Sequence, residues 1–364
     1  MNYAIITDPD NFDSLEFIPT IIIGFYQRGR EKIFFKNYET LKNHFPDIDI
    51  VGCSSESNIY DTLPHVDIDE TYICIYMCIE MRKESYMLQL LSEQRKKHIC
   101  LEKEKDYGAI VLHTHYNNEF EQTVAMLQKE IGQNRILGAI AGSTATDLKG
   151  ASIFYNGTYF SEGTLVWFID QAYYTLEGIS VHDFDPIGFD LEITRADEYT
   201  ILEIENRPAL DMVEEMIGRL DQESIEAFNH PFFITSDKSN PYRELPLTSM
   251  RDIDREAKSI ILYKKVSQGD TLRLAISCNR REQEEQLNMF RHYTVDNGIA
   301  FLFVCIAYKR HWAEMEAIYL MHLAKNLKVP FIGFHTLGEL GPLSPDSISL
   351  IQNQTLTLAV LSER

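Results

Sequence analysis

Two segments of the sequence decide the fold: AIVLHTHYNNEFEQTVAMLQKEIGQNRILGAIAGS, residues 109–143, and AFLFVCIAYKRHWAEMEAIYLMHLAKNLKVPFIGFHTLGE, residues 300–339. Each predicts a buried strand, a helix, a second buried strand and a glycine-containing turn, because an apolar run gives way to apolar residues at helical spacing and then to another apolar run. The two segments start roughly 190 residues apart. Similar units at that separation indicate two related α/β halves instead of a short-period solenoid.

A shorter repeat supports this interpretation. Residues 50–55 (IVGCSS) and 331–336 (FIGFHT) both place an apolar strand before a glycine, two further residues and a hydroxyl side chain. Alternating strand and helix patterns predict a mixed α/β fold, with mixed sheets flanked by helices. The strand candidates in the first half are residues 20–25, 48–53, 72–79, 109–113, 136–141, 153–159 and 165–169.

Local signals place turns and helices between these strands. Phe120, Val124, Leu127 and Ile131 share one helical face, which predicts a helix over 117–132. It would end at Gly132, a residue suited to a C-cap.

Two further sequence patterns predict a hairpin and a helix. The Asn156-Gly157 pair readily adopts positive φ angles, so residues 151–169 are predicted to fold back as a hairpin. Residues 203–218 predict a strand end, a turn and a helix, with Pro208 near the first helical position.

Composition limits the function. The 364 residues suggest about two domains, and 45% hydrophobic with 24% charged residues is typical of a globular protein. A net charge of −21 opposes broad contact with nucleic acid or anionic membranes. The apolar run at 298–308 is too short to span a bilayer, and no signal peptide is visible, so we expect a cytoplasmic protein. Six cysteines are too few for a disulfide scaffold and fit reduced core thiols.

Successive motifs in both halves resemble one known family. The matching segments are residues 51–55 (VGCSS), 137–142 (LGAIAG), 154–157 (FYNG), 162–166 (EGTLV), 207–210 (RPAL), 330–340 (PFIGFHTLGEL) and 353–355 (NQT). Together they resemble the FIST family of sensory proteins over most of the chain. The resemblance implies a FIST N-terminal domain over residues 1–196 and a FIST C-terminal domain over 197–364. Ser57-Asn58 stand where the family motif usually has Gly-Glu.

The resemblance also implies a function. Proteins of this family are expected to bind a small ligand, proposed to be an amino acid or related metabolite. They pass the event to a signalling partner such as a histidine kinase or another output protein. Conversion of the ligand is not implied, so we expect no enzyme. Some members are associated with haem and nitric-oxide sensing, which leaves haem as an alternative ligand.

The predicted ligand site combines the glycine segments of both halves. Glu339 can accept hydrogen bonds from an ammonium group, and Thr336 with nearby backbone N–H groups can hold a carboxylate. The alternative is an ordinary glycine turn with Glu339 in solvent. The candidate ligand-binding residues are Gly52, Cys53, Ser54, Gly333, Phe334, Thr336, Gly338, Glu339 and Asn353.

Cys53 also suggests a different chemistry. As a nucleophile it would make the chain a cysteine-dependent hydrolase or acyl transferase, but no protease signature surrounds it, and a buried structural thiol is the alternative. The Thr336/Glu339 pair is an alternative centre for hydrolysis or acyl transfer.

Histidines and paired cysteines are candidate metal or haem ligands. His113 and His115 would lie about 7 Å apart on a strand and suit a metal, or simply cap the strand end. Cys74 and Cys78 would be about 13 Å apart on one strand, too far to share a metal. His182 or His335 can in principle bind haem iron.

Overall fold

A computed structural model gives the fold. It describes residues 1–62, 65–67, 73–92, 98–115, 117–132, 134–142, 150–221, 225, 230–236, 245–277, 288–293, 295–311 and 313–364. Of the helices in these ranges, none is long and apolar enough to cross a membrane.

Strands dominate the described chain. From the N-terminus they are β1 (Asn2–Ile6), β2 (Ile21–Gln27), β3 (Asp49–Ser55), β4 (Asn58–Thr62), β5 (His65–Asp67), β6 (Cys74–Glu80), β7 (Tyr86–Leu91), β8 (Tyr107–His113), β9 (Ile136–Ile140), β10 (Ile153–Tyr155), β11 (Thr158–Phe160), β12 (Thr164–Asp170) and β13 (Tyr174–Val181). They continue as β14 (Phe184–Asp197), β15 (Thr200–Ile204), β16 (Arg207–Pro208), β17 (Pro231–Thr235), β18 (Leu247–Asp254), β19 (Ser259–Leu262), β20 (Thr271–Ser277), β21 (Gly298–Cys305), β22 (Phe331–Thr336), β23 (Gly338–Gly341), β24 (Leu350–Gln352) and β25 (Leu356–Glu363).

The α-helices are α1 (Glu31–His44), α2 (Asn118–Ile131), α3 (Ala209–Ile217), α4 (Ile306–His311) and α5 (Ala313–Leu327). Short 3-10 helices span Pro9–Ser14, Lys83–Ser85 and Phe290–Tyr293.

Helix α2 forms for the reasons that the sequence predicted. The Asn117 side chain accepts a hydrogen bond from the Phe120 N–H at 2.9 Å, which caps the helix start. Gly132 ends it with a φ of 92°. The apolar stripe, including Leu127 and Ile131, is buried. The predicted range of 117–132 is therefore confirmed to within one residue at each end.

The predicted hairpin and the helix after Pro208 are also present. Strands β10 and β11 pair around Asn156 and Gly157, whose φ values are 42° and 92°. Pro208 precedes α3 as its N-cap, one position before the predicted first helical residue. Residues 153–159 thus form two strands joined by a turn.

Three βαβ units build the centre of the molecule: β2–α1–β3, β8–α2–β9 and β21–α4–α5–β22. The two strands of each unit pair in parallel. The two long segments quoted above are the second and third units, and residues 50–55 belong to the first. The repetition therefore goes further than the sequence analysis predicted, because both sequence repeats are parts of one threefold pattern.

A glycine occupies the same place on the second strand of every unit. Gly52 lies beside Gly24, Gly138 beside Val111, and Gly333 beside Leu302. A Cβ atom on these glycines would lie 1.8, 1.9 and 2.1 Å from the carbonyl oxygen of that neighbour. Since a main-chain oxygen cannot simply move aside, only glycine fits at these three positions.

The strand that follows each unit leaves it and pairs with another unit. Strand β4 pairs with β22, β10 pairs with β3, and β23 pairs with β9, all antiparallel. On the other side of the parallel pairs, β6 lies beside β2, β12 beside β8, and β25 beside β21. The three central sheets are therefore linked in a closed cycle of exchanged strands.

A separate barrel is formed by residues between the second and third units. Its strand order is β14-β20-β17-β18-β19-β15, and β14 also pairs with β15, which closes the ring. Helix α3 packs against β15 and β19. Its apolar core includes Ile193, Val213, Phe232 and Leu272. The predicted division of the chain between residues 196 and 197 falls at the end of β14 and stays a prediction.

Candidate functional site

The carboxyl ends of β3, β9 and β22 meet at the centre of the three units. The Gly142 N–H donates to the Ser54 carbonyl oxygen at 3.0 Å, and the Leu337 N–H donates to the Ile140 carbonyl oxygen at 3.2 Å. A Cβ on Gly142 would lie 2.3 Å from the His335 carbonyl oxygen. We call this meeting point the junction. It is also the edge at which parallel α/β sheets commonly bind ligands.

Glu339 is fully buried at one side of the junction. Its carboxyl group accepts hydrogen bonds from the Thr336 hydroxyl and from the Thr355 hydroxyl at 2.7 Å. The Thr355 N–H is 3.3 Å from the same oxygen. Burial raises the pKa of Glu339 to about 8, although bonds from Thr336, Thr355 and Cys305 oppose the shift. Burial therefore favours the protonated, neutral form of this carboxyl group.

Asn58 occupies the equivalent place in the first unit. It lies six residues after Gly52, as Glu339 lies six residues after Gly333. The Ser55 hydroxyl donates to the Asn58 side-chain oxygen at 2.5 Å, which matches the Thr336–Glu339 bond. The Asn58 amide also donates to the Phe25 and Ile73 carbonyl oxygens at 3.3 and 3.4 Å. One unit thus carries a neutral amide where another carries a carboxyl group.

A second set of hydrogen-bonded side chains crosses the junction. The Ser57 Oγ lies 2.7 Å from the His335 Nδ1, and the His335 Nε2 bonds the Glu316 carboxylate. The Lys309 Nζ donates to the same Ser57 Oγ at 3.0 Å. Ser57, His335 and Glu316 are buried, whereas Lys309 is half-buried. We call these four residues the relay.

The sequence analysis did not select Glu316 or Lys309. Both lie in helical segments, where a charged residue most often faces solvent. Only the pairing of β22 with β4 places them near Ser57.

Comparison with known families is consistent with this architecture. Residues 23–207 match the FIST N domain, and residues 209–342 match the FIST C domain. The chain belongs to the FIST family. FIST domains are associated with sensing in signal transduction. A search of curated proteins finds no match to this chain. Ser57 thus comes from the FIST N match, and His335, Glu316 and Lys309 come from the FIST C match.

The structure brings the predicted FIST N and FIST C site residues to the same junction. Gly52 and Gly333 lie within strands and not in turns, because their missing Cβ atoms admit the neighbouring strand. Ser54 donates to the Gly142 carbonyl oxygen at 3.1 Å. The Phe334 ring packs 4.5 Å from the Phe25 ring. These four residues support the junction from inside the sheets.

The remaining predicted site residues lie around Glu339. Gly338 pairs with Ile140 on β9, and the Asn353 side chain donates to the Leu337 carbonyl oxygen at 3.0 Å. The alternative of a solvated Glu339 is wrong, because the side chain is fully buried. Whether these residues bind a ligand stays a prediction.

Cys53 lies in a hydrophobic core that includes residues of both the FIST N and FIST C matches. Its side chain is fully buried, and burial raises the pKa of the thiol well above its usual value. Such an environment disfavours the thiolate that a nucleophile needs. Of the other described cysteines, Cys74, Cys78 and Cys305 are buried and Cys100 is exposed. Cys278 lies outside the described residues.

The other candidate metal and haem ligands are engaged in the core. The His113 ring stacks on Phe120 at 4.4 Å, and its Nδ1 lies 2.7 Å from the Thr164 hydroxyl. Burial lowers the pKa of His113 to about 3. Cys74 and Cys78 lie on the single strand β6. Both ring nitrogens of His335 are hydrogen-bonded within the relay. Among the described residues, no group of three metal-ligating side chains is present.

Proposed function

We propose that this FIST protein is a cytoplasmic sensor that binds a small ligand at the junction and passes the event to a partner protein. The proposed ligand is an amino acid or a related metabolite. The proposed partner is a histidine kinase or another output protein. Binding of the ligand, without its conversion, is sufficient for this function.

The observation that carries the proposal is the number of polar side chains buried at the junction. Burial of polar and ionisable groups is costly unless each has a partner, and perturbed carboxyl groups gather at functional sites. The buried polar residues here are Ser54, Ser55, Ser57, Asn58, Glu316, His335, Thr336, Glu339, Asn353 and Thr355. Apart from Asn353 and Thr355 they lie in the FIST N and FIST C matches, so a ligand held among them would contact both.

Lys309 is where a ligand would first meet this cluster. Its ammonium group is half-buried and bonds Ser57, so a ligand carboxylate arriving from solvent finds a cation and a hydroxyl together. Glu339 lies deeper. Its oxygens already accept bonds from Thr336 and Thr355, so a ligand ammonium group would have to displace one of them.

The exchanged strands supply a route from binding to output. The Ser57–His335 bond joins the FIST N and FIST C regions, and β4 and β22 pair beside it. A ligand that binds more tightly to one placement of these strands shifts the population toward it. A partner that contacts either region would then sense the change.

A thermal-shift screen tests the proposal. Purified protein is heated with each amino acid, with related metabolites and with haem, since a ligand that binds only the folded state raises Tm. We expect one compound class to raise Tm. The shift should be smaller in Lys309→Met and unchanged in the control Lys325→Met, which removes an exposed lysine from α5. Glu339→Ala should also reduce the shift if a ligand reaches the deeper group.

A screen without a positive result would contradict the proposed ligand classes. If no compound raises Tm and the absorption spectrum lacks a Soret band with haem, the proposed ligand classes are wrong. A shift that is equal in wild type and in both Lys309→Met and Glu339→Ala would place the ligand elsewhere.

A further inference from the structure

We propose that Ser57 is a nucleophile that accepts an acyl group from a small carboxylic ester, with His335 as its base and Glu316 as the residue that orients His335. This goes beyond the proposed function, because it adds a covalent step to a site proposed only to bind. The inference rests on the hydrogen-bond pattern of the relay.

The directions of the hydrogen bonds in the relay follow from its end groups. The Glu316 carboxylate can only accept, so the His335 Nε2 carries the proton that it donates to Glu316. If the imidazole is neutral, as a general base must be, its Nδ1 is an acceptor and the Ser57 hydroxyl at 2.7 Å donates to it. The Lys309 ammonium donates to the Ser57 oxygen at 3.0 Å. A serine hydroxyl aimed at a base that a carboxylate orients is the arrangement of an activated nucleophile.

The backbone holds Ser57 and His335 together. The His335 N–H donates to the Ser57 carbonyl oxygen at 3.0 Å, and Asn58 pairs with Phe334 in the next register position. Gly142 packs against the His335 carbonyl oxygen, where any side chain would collide. Main-chain contacts therefore fix both residues before any substrate arrives, as positioning of a nucleophile and its base requires.

The other hydroxyl groups that the structure describes at the junction lack such a base. Ser54 donates to the Gly142 carbonyl oxygen, Ser55 to Asn58, and Thr336 to Glu339. Thr164 does face an imidazole, that of His113, at 2.7 Å. The other nitrogen of His113 lies 3.3 Å from the Asn117 amide oxygen, so no carboxylate supports it. The pair Thr164–His113 is thus an internal comparison for the relay.

The reaction has two balanced halves. In the first, Ser57 Oγ bonds to the ester carbonyl carbon and its proton moves to His335 Nδ1. The bond from carbon to the alcohol oxygen then breaks, and the alcohol leaves with that proton. In the second, a water oxygen bonds to the acyl carbon while His335 takes its proton. The bond to Ser57 breaks, the proton returns to Oγ, and a carboxylic acid is released. The sum is ester plus water to alcohol plus acid.

Lys309 lies where charge develops in this reaction. Its ammonium nitrogen is 3.0 Å from the attacking oxygen, so a cation lies beside the atom that loses its proton as it attacks. The enclosed setting of Ser57 restricts the substrate to a small acyl group.

The test uses the full chain with a fluorophosphonate probe and with p-nitrophenyl acetate. We expect one probe molecule per chain by intact mass, mapped to Ser57 by peptide analysis, and ester hydrolysis above the no-protein rate. Ser57→Ala and His335→Gln should each lower hydrolysis at least tenfold. Thr164→Val, which breaks the comparison pair, should leave labelling and hydrolysis unchanged.

The Glu316→Gln variant distinguishes a role of Glu316 in orienting His335 from a role in stabilising the fold. It keeps the size of the side chain, so Tm should change little, while kcat for p-nitrophenyl acetate falls at least tenfold and KM stays constant. A lower Tm of Glu316→Gln with unchanged kcat would assign Glu316 a structural role and overturn its part in the proposal. Absence of probe at Ser57 in folded wild type, or equal hydrolysis by Ser57→Ala, would overturn the whole. Thermal shifts of the wild type with amino acids, which carry no ester bond, report on the sensor proposal separately.

Discussion

The Nδ1 atom of His335 lies 2.7 Å from the Oγ atom of Ser57, across a sequence separation of 278 residues. One residue belongs to the FIST N match and the other to the FIST C match. The contact exists because β4, which begins just after Ser57, leaves its own unit and pairs with β22. The two sequence regions of the family are thus not two independent structural bodies at the junction.

Strand exchange predicts that the FIST N region does not fold alone. A fragment of residues 1–196 would retain β4 and β9 but lose their partners β22 and β23. It would also expose apolar core residues such as Leu112 and Val166 that pack within cores shared with the C-terminal part of the chain. We expect this fragment to aggregate or to lack a cooperative melting transition, because open strand edges and apolar surface favour association. Circular dichroism and size-exclusion chromatography measure both properties.

Coexpression supplies the control for this prediction. The fragment of residues 1–196 should become soluble when the fragment of residues 197–364 is produced with it, since the missing strands are then present. A sharp melting transition of residues 1–196 alone would contradict the role assigned to the exchanged strands.

A second prediction concerns the glycines of the repeated units. Gly333→Ala would place a Cβ atom 2.1 Å from the Leu302 carbonyl oxygen, so the backbone of β21 or β22 must shift. We expect a loss of at least about 3 kcal/mol in the free energy of unfolding. Gly52→Ala and Gly138→Ala should behave in the same way, because their positions are equivalent. Urea denaturation of each variant gives the comparison.

Gly218→Ala is the matched control. Gly218 has a φ of 90° and a ψ of 174° but no atom within 4 Å of the added Cβ, so only backbone strain of about 1–3 kcal/mol is expected. A loss for Gly333→Ala that is no larger than the loss for Gly218→Ala would show that the parallel strands are less closely packed than described.

Particular residues show which parts of the fold and of the candidate site the sequence could predict. The repeated segments predicted the second and third βαβ units, and Asn156-Gly157 predicted the β10–β11 hairpin, because these features depend on local spacing and turn chemistry. Strand exchange was not predicted, since short strands such as β4 and β23 carry no signal for their distant partners. Glu339 was selected from its glycine-rich context, but its burial depends on Thr355 and the sheets around it.

Glu339 provides a prediction about pH. Its folded-state pKa is raised from 4.5 to about 8, so the folded state holds a proton that the unfolded state has already lost between these values. The contribution to stability is therefore complete below about pH 4.5 and is lost as pH rises through about 8. In this window the free energy of unfolding should fall by up to about 1.4 kcal/mol per pH unit from this group.

Glu339→Gln isolates the effect, because a glutamine side chain stays neutral. Its amide can donate to the Thr336 oxygen while Thr336 donates to the Val304 carbonyl oxygen, 3.3 Å away. We expect the stability difference, wild type minus variant, to decline between pH 5 and pH 8 in urea denaturation. His113, whose pKa is lowered to about 3, affects both proteins equally and cancels. A pH-independent difference would mean that Glu339 is ionised in the folded protein.

The last prediction separates structural from reactive thiols. Burial raises the pKa of Cys53 well above its usual value and that of Cys74 to about 12, whereas Cys100 is exposed. Since the thiolate is the reactive form, iodoacetamide should modify Cys100 rapidly in the folded protein. Cys53 should react only when the protein unfolds. Peptide mapping after timed exposure, with and without urea, measures each site.

Cys100→Ser is the control. Rapid modification at position 100 should disappear in this variant, and the slow modification of Cys53 should not change. Rapid modification of Cys53 in the folded protein would contradict its burial and restore the cysteine-dependent hydrolase as an explanation. A slow Cys53 together with a fluorophosphonate-labelled Ser57 would instead place any acyl-transfer chemistry on the hydroxyl that faces His335, because that group has a base within hydrogen-bonding distance and a carboxylate behind it.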